Sequence, residues 1–237
     1  MNKVLITGGA GFVGTALIRK LIRKYKNIEI VSIDNYSSGY ESNHIKSKKV
    51  KYFNKDTQTL IPKKLDVNNT KMDYADGFEP DVVFHFGEFS RIVTSFDGFD
   101  NCWDYNMQGT KMVLDYCVAK KAKLIYSASS SKFGNDGKDE NLSPYAWMKA
   151  KMVELINNYA DWFDLRFEIT YFYNAYGPGQ VRTGDYATVI GIFEEQYSKG
   201  EPLTVVDPGN QSRDFTHIND IVSGVVLAAE KGQQEED

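Results

Sequence analysis

The segment TGGAGFVGTAL, running from Thr7 to Leu17, constrains the fold of this chain more than any other. An apolar run, KVLIT, precedes it. After it Leu17, Ile18, Leu21 and Ile22 recur at helical spacing, with Arg19, Lys20, Arg23 and Lys24 between them. Gly8, Gly11 and Gly14 therefore sit between a strand and a helix. In that context an early glycine permits a tight turn, a middle one lets backbone N–H groups approach a pyrophosphate, and the last lets the helix pack close to the strand. The helix start turns its partial positive charge toward the same point. A glycine-rich turn of purely structural purpose has the same local pattern, so the rest of the chain must decide.

The rest of the chain alternates. Apolar runs at 28–33 (IEIVSI), 50–53, 81–86 (DVVFHF), 123–127 (KLIYS) and 167–172 predict five more strands. Helical patterns fall at 106–119 and 144–162, the second opened by Pro144. Strands alternating with helices predict an α/β protein: a Rossmann-like doubly wound parallel sheet with helices on both faces. After residue 174 the pattern breaks at GPGQ and DPG. A helix at 187–199, a short strand at 203–206 and a last helix at 219–231 remain. The expected division is a Rossmann domain over 1–174 and a smaller C-terminal substrate-binding region over 175–237, incomplete and partly returning to the first. The polar tail GQQEED is expected to fray.

Composition narrows the partners. The 237 residues carry 28 Lys and Arg against 32 Asp and Glu, a net charge of −4. No basic excess points to nucleic acid or to an anionic membrane surface. No apolar run approaches the ~18 residues of a membrane span, and MNKVLITGGA lacks the apolar core of a signal peptide. The expectation is a cytoplasmic protein with two buried thiols, Cys102 and Cys117. The three histidines and scattered carboxylates form no metal-ligand spacing, so no metal is expected.

Asp34 closes the second strand, 20 residues after Gly14. A carboxylate there accepts hydrogen bonds from ribose hydroxyls and repels a 2′-phosphate, which favours NAD over NADP. Tyr145-Ala-Trp-Met-Lys149 puts a phenol and an ammonium on one helix face. A free tyrosine has a pKa of about 10, and lowering it by ~3 units takes roughly 4 kcal/mol of preferential phenolate stabilisation. A nearby lysine and a positively charged nicotinamide supply it in part, so the phenol can take a proton from an alcohol as hydride leaves the same carbon. Ser129, just past the fifth strand, is placed to hold the substrate oxygen in line. A second Tyr-x-x-x-Lys, Tyr116 to Lys120, lies beside apolar Val113 and Leu114 and reads as a core tyrosine with an exposed lysine. His85, between Phe84 and Phe86, reads as a satisfied core histidine, and His217 as structural.

Together TGGAGFVG, Asp34-Asn35, Ser129, Tyr145/Lys149, YFYNAYGP and SRDFTHINDIV resemble the extended short-chain dehydrogenase/reductase family of NAD-dependent nucleotide-sugar epimerases and dehydratases, on the UDP-glucose 4-epimerase-like branch. The resemblance runs from residue 3 to about residue 230. It implies that Phe12 and Val13 line the pyrophosphate, that Asp34, Asn35, Ser37, Ser38 and Gly39 surround the adenosine ribose, and that Asp56 and Thr57 flank the adenine. Phe86, Gly87, Asn106 (in NMQGT) and Tyr173 join the cofactor set, and Lys149 also bonds the nicotinamide ribose. Ser90, Ser129, Asn174 and Arg213 would hold the nucleotide-diphosphate sugar, with Arg213 as a planar fork for phosphate oxygens. A homodimer through the 106–119 and 144–162 helices is implied as well.

The departures shape the expected activity. The run Ser129-Ser130-Ser131-Lys132 lacks the acid pair of 4,6-dehydratases, which disfavours elimination. Ser90 stands where galactose epimerases often carry lysine, and Thr170-Tyr171 where the family usually has arginine. The chain stops 17 residues after Asp220, so part of the substrate region is expected to be missing. The expected function is a 4-epimerase working through a transient 4-keto sugar. The alternatives are a reductase or dehydratase of the same family, and a nucleotide-binding protein without turnover.

Overall fold

The computed structural model describes residues 1–60 and 77–231. The tail at 232–237 lies outside the described residues. Strands β1 (Lys3–Thr7), β2 (Glu29–Asp34), β3 (Val50–Asn54), β4 (Val82–His85), β5 (Lys123–Ser129) and β6 (Phe167–Phe172) form one sheet in the order β3-β2-β1-β4-β5-β6. Every pairing in it is parallel. This is the doubly wound order whose direction reverses between β1 and β4, and ligands bind outside the carboxyl ends of the strands at that reversal.

Both faces of the sheet are covered, which is why its strands read as unbroken apolar runs. On one face Val4, Ile6, Ile30, Phe84 and Ile125 pack against α1 (Phe12–Lys24) and α6 (Ile218–Lys231). On the other, Leu5, Val31, Val83, Leu124 and Tyr126 meet α3 (Thr110–Lys120) and α4 (Pro144–Phe163). Ser143 caps α4 by accepting from the Ala146 N–H at 3.1 Å, and Pro144 opens its first turn. The last helix thus returns to the sheet, with Ile221, Val222, Val225 and Val226 buried against it.

Two elements differ from the sequence reading. The helix expected at 106–119 begins earlier, as a short α2 (Phe99–Cys102), and runs through a π-helical stretch, Trp103–Gly109, before α3. Residues 203–206 are not a strand. The remaining strands, β7 (Ala175–Tyr176) and β8 (Thr216–His217), pair only with each other among the described residues, so Leu203, Val205 and Val206 have no edge to join and stay exposed. Thr204 is tied instead to Gln196 on α5 (Val189–Lys199), a helix that buries only Gly191.

Candidate active site

The loop after β1 and the loop after β4 approach each other at the reversal point. Gly8 has φ +72°, and a Cβ there would lie 2.8 Å from the Gly87 nitrogen. A Cβ on Gly14 would come within 2.2 Å of the Gly8 carbonyl oxygen, so the helix can sit this close only on glycine. No side chain caps α1 at Gly11, which leaves first-turn N–H groups for an anion. Asp34 is buried at the end of β2; its carboxylate accepts from the Ala10 N–H at 2.9 Å and the Tyr36 N–H at 2.8 Å. Burial raises its pKa above the ordinary carboxylate value, and those two N–H groups oppose the rise. Each oxygen keeps a second lone pair for a ribose hydroxyl.

A cavity of about 1120 Å³ opens from this cradle toward the ends of β5 and β6. It is lined by Gly8, Gly11, Phe12, Val13, Gly14, Asp34, Asn35, Ser37, Ser38, Thr57, Phe86 and Gly87 on the cradle side. Ser90, Ser129, Tyr145, Lys149, Tyr173, Asn174 and Arg213 line the remainder. Three residues expected at the cofactor lie outside this lining. Gly39 packs behind Asp34 against Ala10. Asp56 accepts from the Asn35 amide at 2.7 Å. Asn106, fully buried in the π-helical stretch, grips the Phe89 backbone from both sides, at 2.7 and 3.0 Å, and so shapes the loop after β4 from behind.

Ser129 and Tyr145 meet through a side-chain hydrogen bond that lowers the phenol's pKa. Burial is the larger effect, and Tyr145 is pushed up to about 12. Lys149 is buried on the next turn of α4, and desolvation lowers its pKa. Its ammonium donates to the Ser127 carbonyl and, at 2.5 Å, to Glu88. Burial also lowers the His85 pKa to about 4, so the ring is neutral. The Thr7 hydroxyl oxygen accepts the Phe86 and Gly87 N–H groups at 3.1 and 2.9 Å, and its own proton faces His85 Nδ1 at 2.6 Å. Nε2 then donates to Thr110 at 2.9 Å, which makes His85 the satisfied core histidine expected.

Glu88, Arg91 and Gln180 line the same cavity and were not picked out from the sequence. The available signal for Glu88 was its position, three residues beyond the last β4 residue at a strand end. Arg91 lies over the Tyr186 ring at 5.5 Å. Gln180 is buried, and neither its amide nitrogen nor its amide oxygen has a hydrogen-bond partner among the described residues. Lys120 also departs from expectation: its side chain is mostly covered, with the ammonium 5.9 Å from the Tyr116 ring centre and 3.1 Å from Glu79.

The model of the NAD dependent epimerase/dehydratase family matches residues 4–237. The chain belongs to this family. The uncharacterized UDP-glucose epimerase YtcB of Bacillus subtilis (strain 168) is 30% identical over 243 residues, covering 97% of this chain and 73% of that protein. A UDP-N-acetyl-alpha-D-glucosaminuronate decarboxylase of Bacillus cytotoxicus is 28% identical, covering 97% and 72%. The crystal structure of a UDP-glucose 4-epimerase from Thermotoga maritima, solved with UDP-glucose, superposes with a TM-score of 0.84 at 24% identity, covering 97% of this chain and 74% of that one. At that identity the superposition speaks for the fold.

The cofactor of an NAD-dependent epimerase/dehydratase fits the residues present. The glycine cradle has no room for side chains, α1 begins uncapped, the Asp34 carboxylate lines the cavity beside it, and Gln180 carries two unpaired buried polar atoms at the cavity wall. As a family member the chain is an NAD-dependent nucleotide-sugar epimerase/dehydratase. Among the described residues no group of side chains could hold a metal, and no helix is long and apolar enough to cross a membrane.

Proposed function

We propose that the chain is a nucleotide-sugar 4-epimerase of the UDP-glucose type. The observation that carries this reading is the convergence of Ser129, Tyr145 and Lys149 on the cavity that begins at the glycine cradle. Bound NAD would supply the hydride acceptor and donor for the sugar C4. Ser129 holds the C4 oxygen, and Tyr145 exchanges the hydroxyl proton with it. With its phenol pushed up to about 12, Tyr145 is protonated at rest, in the form that returns a proton to a 4-keto sugar. Asn174 and Arg213, at the far wall, are the candidate grips on the diphosphate, which hold the nucleotide while the keto sugar turns. Only groups made or broken at C4 then differ between the two faces.

The test is to incubate the chain with NAD and a panel of nucleotide sugars and to follow 4-epimer formation by NMR. UDP-glucose and UDP-galactose should interconvert, and Tyr145→Phe should abolish this while still binding NAD. Near-normal turnover in that variant sinks the assignment.

A dehydratase reading has one observation in its favour. Asp139 lines the cavity on the 3-10 stretch Ser130–Asn141 and supplies a carboxylate there, although not directly after Ser129. Loss of water from the sugar, abolished in Asp139→Asn, would select that reading. The dimer implied by the resemblance, through the 106–119 and 144–162 helices, is proposed as well; Trp162 is exposed at the end of the second, and light scattering at micromolar concentration tests it.

A further inference from the structure

Glu88 sits where donors from three elements converge. Lys149 on α4 donates to its Oε2 at 2.5 Å. The Tyr126 hydroxyl on β5 donates to Oε1 at 3.0 Å, and the Thr110 hydroxyl on α3 donates to the same oxygen at 3.2 Å. Thr110 is in turn oriented by neutral His85 on β4. The direction of every bond in this chain is set: Thr7 to His85, His85 to Thr110, Thr110 to Glu88. The Thr110 hydroxyl also reaches the Tyr126 oxygen, and all three side chains that meet the Glu88 carboxylate do so as donors. The pair it makes with Lys149 is shielded from solvent, with side chains 3% and 5% exposed. The ammonium also lies 4.4 Å from the Tyr126 ring centre.

This arrangement bears on Tyr145. A lysine four residues from the phenol favours the phenolate only to the extent that its charge is not cancelled. Here a carboxylate lies in direct contact with that lysine. The charged and titratable groups that act on Tyr145 are Glu88 and Arg91 on the loop after β4, Cys102 on α2 and Tyr126 on β5. Those that act on Lys149 are Glu88 and Cys102. Burial raises Cys102 to about 11, so it contributes no charge at neutral pH.

Resting on the epimerase reading, we propose that Glu88 is a positioning residue for catalysis. It holds Lys149 as one half of a charge-neutral pair, and the pair rather than a lone ammonium sets the acidity of Tyr145. Two consequences follow for the lysine. Glu88 and Ser127 take two of its three N–H groups, which leaves one that would serve the nicotinamide ribose. With Lys149 neutralised by Glu88, the phenol keeps the Arg91 guanidinium as its positive neighbour among these groups, and the oxidised nicotinamide would supply the rest of its activation. The acid limb of hydride transfer is then set high and tied to bound NAD.

The experiment reads the Tyr145 phenol directly, by carbon NMR of ring-labelled tyrosine in the NAD-loaded protein, with Tyr145→Phe identifying the signal. Glu88→Gln keeps the shape and removes the charge. Its Tyr145 pKa should fall by about 1 unit or more, a tenfold change in proton affinity. Lys149→Met is the second variant, and covers the case in which Glu88→Gln does not fold. Without the lysine a buried carboxylate takes up a proton, so the site stays neutral and the phenol should remain within about half a unit of wild type. A lone ammonium predicts instead a clear rise in Lys149→Met and no shift in Glu88→Gln; either result overturns the proposal. Thr110→Val, which removes a donor and leaves the charge, should keep the wild-type value, and a fall equal to that of Glu88→Gln would mark a packing effect and reject the charge argument. Failure of the epimerase reading shows separately, as absence of 4-epimer from the wild-type protein, and leaves these titrations interpretable.

Discussion

Two turns of helix in this protein carry the same letters at the same spacing, Tyr116 to Lys120 on α3 and Tyr145 to Lys149 on α4. In both, the lysine meets a glutamate and passes near an aromatic ring. What differs is where the glutamate stands. The Glu79 side chain is 62% exposed, while that of Glu88 is 3% exposed and lines the cavity together with Ser129 and Tyr145. The Tyr116 hydroxyl donates to a backbone carbonyl, that of Phe78 at 3.3 Å, whereas the Tyr145 hydroxyl meets Ser129. Spacing therefore sets which side chains share a face. Dielectric and access to a cavity decide whether that face does chemistry.

The comparison breaks first on activity. Tyr145→Phe should lose about a thousandfold or more in epimerisation, the scale of an acid–base group. Tyr116→Phe should keep turnover close to wild type, measured by the same NMR assay. It breaks next on stability. Glu88→Ala strands a buried ammonium and should cost about 3–5 kcal/mol in urea unfolding. Glu79→Ala should cost about 0–1 kcal/mol, because its pair is open to water and salt.

The next effect in size belongs to the network that only the α4 site possesses. His85 ionises near pH 6.5 when unfolded but at about 4 in the fold, because burial disfavours its charge. A histidine with a lowered folded pKa leaves the unfolded chain to take up the proton first. Stability should therefore fall as pH drops from about 6.5 to 4, by about 3 kcal/mol in all, and be fully present above that window. Urea midpoints across this range check it, with a His85→Gln variant expected to flatten the slope. A slope unchanged in His85→Gln would assign the acid sensitivity to carboxylates instead.

The sheet was legible because its inner strands β1, β2, β4 and β5 are mostly buried and so read as largely apolar runs. The cradle was legible because Gly8 and Gly14 admit no substitute and because Asp34 ends the adjacent strand. Glu88 was not. It contacts residues 22, 38 and 61 positions away, and no local pattern joins these. Asn106 was assigned to the cofactor from a motif, but it sits in a π-helical turn and is committed to the Phe89 backbone. The 203–206 run is apolar enough for a strand, yet a strand exists only where a neighbour offers its edge. Lys120 was read as exposed from its charge, although its aliphatic stem covers Tyr116 while the ammonium reaches Glu79.

That last residue supplies the smallest and most discriminating effect. If Lys120 acts only as a covering stem, Lys120→Met should leave stability within about 0.5 kcal/mol, since methionine keeps most of the apolar contact and the ion pair contributes little. Lys120→Ala, which uncovers the Tyr116 edge, should cost more than Lys120→Met. Both should be insensitive to salt. The equivalent substitution at Lys149 removes the same atoms from a helix of the same kind, but there the partner carboxylate is left dry and has to take up a proton at neutral pH, so Lys149→Met should destabilise by several kcal/mol. Equal losses at the two lysines in urea titrations would mean that burial of the glutamate is not what separates the sites, and the contrast drawn between them would fail.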